Sequence, residues 1–103
     1  MPEAGKRPSS SREVQAYVLL VSGRVQGVGF RWFAEREALK RDVRGYVRNL
    51  ADGRVEIWAQ AEDERLGEFC ETVRRGPPAS RVDEVQMKPV PVDGSLSSFQ
   101  VRF

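Results

Sequence analysis

Apolar residues fill both alternating faces of the stretch VQAYVLLV, Val14 to Val21. That is the pattern of a strand covered on both sides in the middle of a sheet. A different period takes over in FRWFAEREALKR. Here Phe30, Phe33, Ala34, Ala38 and the stem of Arg41 fall on one helical stripe, with charges between them. Asp42 interrupts the stripe, and VRGYVRNL reads as a second strand. ADG at 51–53 is a hairpin signal. RVEIWAQA then alternates Val55, Ile57 and Ala59 with Glu56, Trp58 and Gln60, which predicts a strand with one buried face. Glu62, Asp63 and Glu64 crowd the start of a second helix, where acids suit the helix dipole. Leu66, Phe69, Cys70 and Val73 follow at helical spacing, Gly76 stands in the C′ position, and Pro77-Pro78 stop the helix. A strand is predicted near 82–92, pushed toward a sheet edge by Pro89 and Pro91. SFQVRF forms a last short strand.

The order is therefore β-α-β-β-α-β with one terminal strand. Two right-handed crossovers in such a chain predict an α+β, ferredoxin-like split β-α-β sandwich: an antiparallel sheet of four to five strands with two helices on one face. In that topology strands one and two run parallel with the third between them. Their C-terminal ends lie at the same edge of the sheet, with axes about 10 Å apart. Arg31, just after the first strand, and Asn49, at the end of the second, are thus expected to face one small ligand.

Composition narrows the reading. A chain of 103 residues holds one core. Residues 1–12, MPEAGKRPSSSR, have no apolar block, so they are read as a flexible tail and not a secretory signal, and 13–103 as the domain. The net charge of +2 belongs to that tail, where Lys6, Arg7 and Arg12 stand against Glu3. The remaining residues balance, which argues against nucleic acid as a partner. No apolar run is long enough for a membrane span. Cys70 is the only cysteine and lies on the apolar stripe of the second helix, so it reads as core filler in a cytoplasmic protein. The chain has no histidine, which removes every Ser-His-Asp or Cys-His arrangement and every His-ligated metal.

Against these absences stands GRVQGVGFR, residues 23–31: three glycines, no acid, and two arginines. A glycine-rich turn feeding a helix presents unpaired N–H groups at the positive end of a dipole. Glycines let that backbone close around a ligand as a nest of donors. Arg31 in the first helical turn would complete the shell with a fork matched to phosphate. The alternative is a loop that merely turns a strand into a helix. It is not a nucleotide-binding loop, since it has no GK[ST] and its glycines do not fit GxGxxG. Arg24 and Arg48 read as solvated charges or as outer steering groups for anions. Trp32 is assigned to the border of the site or to the sheet rim, and Trp58 to the open sheet face. Asn49, ahead of a hairpin, is also a common turn residue.

GRVQGVGFR followed by GYVRNLADGRVEIWAQ closely resembles the two signature motifs of the acylphosphatases, and PPASRVDEV and FQVRF resemble that family's later segments. The likeness covers essentially residues 13–103. It implies the same sandwich, hydrolysis of a small-molecule acyl phosphate to a carboxylate and inorganic phosphate, and neither metal nor cofactor. It places the family's essential arginine on Arg31 and its essential asparagine on Asn49. The phosphate-binding set is then Arg24, Val25, Gln26, Gly27, Val28, Gly29 and Arg31, and a phosphate or sulfate ion is an expected occupant. One departure is Ala61, where the family's second motif usually continues to a glycine. A local change of turn is expected there, without loss of activity.

The chemistry suits a chain without histidine. The leaving group is a carboxylate of pKa about 4, which departs without a general acid. What is left is to hold the phosphoryl group, stabilise its charge and aim a water in line. An amide such as Asn49 can orient that water by hydrogen bonding, and the substrate's own phosphoryl oxygen can take the proton. A stand-alone monomeric enzyme is the expectation, because the sequence ends at Phe103 without the remainder of a hydrogenase-maturation carbamoyltransferase, where a similar segment is an accessory domain. The alternatives are a non-catalytic anion-binding module and an RNA-binding domain of the same element order. For the latter, RGYV at 44–47 lacks the following aromatics.

Overall fold

The computed structural model describes residues 13–103; the expected tail at 1–12 lies outside the described residues. The elements are β1 (Val14–Arg24), α1 (Phe30–Lys40), β2 (Arg44–Asn49), β3 (Val55–Glu62), α2 (Asp63–Arg75), β4 (Arg81–Val90) and β5 (Phe99–Arg102). They build one sheet in the order β4-β1-β3-β2-β5. β3 is antiparallel to both β1 and β2, so β1 and β2 run parallel and end together, as the topology predicts.

The sheet is mixed and not purely antiparallel, because β5 pairs parallel to β2, with Gly45 opposite Phe99 and Val47 opposite Val101. The reason lies in the path from β4 to β5, which crosses from one sheet edge to the other. β4 finishes at the end of the sheet where β1 and β2 begin. The 91–98 connection is pinned by Gln60, whose Nε2 donates to the Asp93 carbonyl at 3.1 Å and whose Oε1 accepts from the Asp93 N–H at 2.8 Å. The Gly45 N–H donates to the Ser98 carbonyl at 3.0 Å. β5 therefore starts level with β2 and delivers Phe103 to the end where β1 and β2 terminate.

The predicted helical stripes are buried, but the first strand, expected to be covered on both sides, is not: Leu19 and Val21 are buried in the core while Val18 and Leu20 on the alternate face stay half-buried, because the core lies on one face of the sheet. Leu19, Val21, Val47, Val55, Ile57, Ala59 and Phe99 from the sheet meet Phe30, Ala34 and Ala38 of α1 and Leu66, Phe69, Cys70 and Val73 of α2 in one core. Phe33 is only half-buried, its ring edge-on to Phe30 at 5.7 Å. Gly45 permits the tight β2–β3 pairing, since a Cβ there would overlap the Trp58 carbonyl oxygen. Trp58 and Tyr46 face each other in register, and both are half-buried. β4 is the edge strand its prolines predict, with Pro89 opposite Tyr17. Ala61 lies in no turn: it is a buried strand residue opposite Gln15, at the end of β3 far from Asn49, and β3 runs straight into α2.

Cys70 is 6% exposed, and burial pushes its thiol pKa up to about 11. The thiol is therefore protonated at neutral pH and a poor nucleophile. Iodoacetamide is expected to label Cys70 at pH 7.5 only after denaturant unfolds the protein. Rapid labelling of the native protein would contradict the packed position.

Candidate active site

β1 ends at Arg24 and α1 begins at Phe30, which leaves Val25–Gly29 as the crossover loop. Gly29 sits at the N-cap with φ 79°, a left-handed conformation that costs glycine little and an L side chain considerably more. The first helical hydrogen bond runs from the Phe33 N–H to the Gly29 carbonyl at 3.0 Å. The amides of Phe30, Arg31 and Trp32 thus precede the intrahelical ladder. No acceptor among the described residues takes a main-chain hydrogen bond from the N–H groups of residues 25–29. No acid lies in the first turn of α1 to occupy its positive end. Together these donors make an electropositive concavity suited to an oxyanion.

Val25, Gly27, Gly29, Phe30, Arg31, Trp32 and Asn49 line a single cavity of about 100 Å³. That is well below the roughly 300 Å³ at which pockets begin to enclose drug-sized ligands, and suits a small oxyanion with its water. Arg31 and Asn49, distant in sequence, share this cavity because β1 and β2 end side by side. The Arg31 guanidinium is held from outside. It donates to the Arg102 carbonyl at 3.3 Å and lies 4.6 Å from the centroid of the Phe103 ring. A cation on an aromatic face loses little charge while losing much freedom.

Asn49 is positioned by a hairpin. It is the last residue of β2, opposite Val55. The turn beyond it is closed by the Leu50 N–H donating to the Arg54 carbonyl at 2.8 Å and by Asp52, whose Oδ1 accepts from the Arg54 N–H at 3.1 Å. Gln26 couples this turn to the glycine loop: its Nε2 donates to the carbonyls of Leu50 at 2.8 Å and Arg54 at 2.9 Å. The Gln26 side chain is therefore committed to the hairpin and can offer a ligand only its main chain.

The remaining residues of the expected set fall around the cavity. Val28 is half-buried and packs on the core, while Arg24 is exposed at the end of β1, opposite Arg81; neither lines the cavity. Arg48 pairs with Glu56 at 2.6 Å, so its charge is partly neutralised. Trp32, undecided between site and rim, lines the cavity while remaining 56% exposed. Two relationships had no signal in the sequence: the Gln26 clamp, and the approach of Phe103 to Arg31. Both join segments far apart in the chain and depend on how strands are ordered.

Replacing Gln26 with alanine removes both bonds of the clamp. At about 1 kcal/mol for each hydrogen bond, a loss of about 1–3 kcal/mol is expected, read from urea midpoints. Turnover should fall as well, because the hairpin carrying Asn49 loses its fixed distance from the loop. Gln26→Glu should be no better, since a carboxylate would face two carbonyl oxygens. Parental stability in both variants would remove the clamp from the account.

Comparison with known proteins agrees with this geometry. The sequence model of the acylphosphatase family matches residues 17–101. The acylphosphatase of Koribacter versatilis is 42% identical over 98 residues, covering 95% of this chain and 89% of that protein. The crystal structure of acylphosphatase from Bacillus subtilis superposes with a TM-score of 0.83 at 39% identity, over 86% of this chain and 99% of that one. Full-length HypF, in a phosphate- and nucleotide-bound form, aligns with a TM-score of 0.78 and 29% identity over 88% of this chain but only 12% of its own. The glycine loop, the shared cavity of Arg31 and Asn49 and these similarities lead to one conclusion: the chain belongs to the acylphosphatase family.

Proposed function

We propose that this protein hydrolyses acyl phosphates by direct attack of water on the phosphoryl group. The amides of residues 25–29 and Arg31 hold the phosphoryl oxygens, and Asn49 aims the water. A bond forms between the water oxygen and phosphorus as the bond from phosphorus to the acyl oxygen breaks. The electron pair leaves on the carboxylate, and the water's proton passes to a phosphoryl oxygen, giving carboxylate and inorganic phosphate. Arg31 and the loop amides are set before the reaction starts, so they stabilise the spreading equatorial charge without reorganising. A carboxylate leaving group of pKa about 4 needs no acid, in keeping with a chain that has no histidine.

The observation carrying this reading is that Arg31, Asn49 and the glycine loop line the same small cavity. We further propose a cytoplasmic monomer that binds inorganic phosphate or sulfate at this site; no helix among the described residues is long and apolar enough to cross a membrane. The test is hydrolysis of acetyl phosphate and benzoyl phosphate with chelator present. Turnover that survives EDTA and is inhibited competitively by phosphate supports the mechanism. Turnover requiring a divalent ion overturns it. Phosphate binding without turnover would make the protein a non-catalytic anion-binding module.

A further inference from the structure

On the reading above, a cavity of about 100 Å³ takes the phosphoryl end of the substrate, and the acyl group lies outside it. There two aromatic rings stand in water. Trp32 is 56% exposed and Phe103 is 89% exposed, with centroids 6.2 Å apart and planes inclined at 55°. Among the described residues they are the only aromatic side chains in the exposed large hydrophobic set, and their rings lie against each other. Their position is anchored. Trp32 belongs to the first turn of α1 and lines the cavity itself, and Phe103 follows a strand whose last carbonyl is held by Arg31.

Resting on the acyl-phosphate reading above, we infer that Trp32 and Phe103 form the acyl-group subsite and select substrates whose acyl group is aromatic or otherwise flat and apolar. Such a group, leaving the cavity beside Arg31, meets a ring surface that gains by being covered. A short acyl chain such as acetyl does not reach across both rings. For an acyl group bearing a second carboxylate, the arginines next in sequence to Asn49 and Phe103 are already engaged. The Arg102 guanidinium is stacked on Tyr46 at 4.0 Å, and Arg48 is paired with Glu56.

The readout is the ratio of kcat/KM for benzoyl phosphate to that for acetyl phosphate, which cancels losses common to both substrates. Trp32→Ala is expected to lower this ratio about 5- to 20-fold, the scale of one well-placed aromatic contact with its covered area. Trp32→Phe should restore it to within about 2-fold of the parent, because a ring of similar character remains. Phe103→Ala should lower the ratio too, and it also loosens Arg31, so its inhibition by inorganic phosphate is measured alongside. A parental ratio in Trp32→Ala overturns the subsite while leaving the hydrolase intact. So does a parent protein that favours succinyl phosphate over benzoyl phosphate. A parent that turns over none of the three substrates overturns the hydrolase reading, and the subsite with it.

Discussion

Arg31→Ala is expected to lose both phosphate binding and turnover, with kcat/KM on benzoyl phosphate falling about 10³-fold or more. Losing one preorganised donor from an oxyanion site costs about 10²- to 10³-fold. Here the donor is also the charged member of the shell, and its planar fork makes charge-assisted bonds of about twice the usual strength. The surroundings add to the effect. The guanidinium is held by the Arg102 carbonyl at 3.3 Å and stacked on Phe103 at 4.6 Å, so little entropy is lost when a dianion arrives. Arg31→Lys should recover only part of the activity, since an ammonium carries the charge without the fork. The decisive measurement pairs kcat/KM with the inhibition constant for inorganic phosphate. If phosphate inhibits Arg31→Ala as it does the parent, the guanidinium is not the clamp.

Asn49→Ala separates binding from chemistry. It should retain phosphate affinity within about 3-fold while kcat drops about 10²-fold, the scale for one positioned hydrogen-bonding group. The side chain lies at the tip of β2, and the hairpin beyond is closed by backbone bonds and by Asp52. The substitution should therefore leave the fold intact. Asn49→Asp should also be slow, because a carboxylate would face an incoming dianion across a cavity of about 100 Å³. A loss confined to KM would mean that Asn49 holds substrate and does not aim water. Parental kcat would remove it from the mechanism.

How much of this could be read without coordinates varies with the range of the interaction. The helical stripes of Phe30, Ala34 and Ala38 and of Leu66, Phe69, Cys70 and Val73 are local periodicities, and they became the core. The parallel ends of β1 and β2 follow from element order and crossover handedness, so the meeting of Arg31 and Asn49 was also legible. Val25, Gly27 and Gly29 came with the motif. Two features were hidden. Gln26 counted as a loop amide, yet its side chain ties the loop to the hairpin at Leu50 and Arg54. Gln60 looked like one more polar position on an open face, yet it pins the 91–98 connection through Asp93. An amide carries donor and acceptor in every context, and nothing in its neighbours along the chain names the partner.

The sequence by itself determined the elements, their order, the buried stripes of the two helices and the chemical character of the loop, because each depends on residues within a few turns or strands of one another. Tertiary structure alone decided that β5 runs parallel to β2. A short terminal strand can add to a sheet edge in either direction, and only the pinned path of 91–98 selects one. That choice brings Phe103 beside Arg31 and Trp32 at the mouth of the cavity.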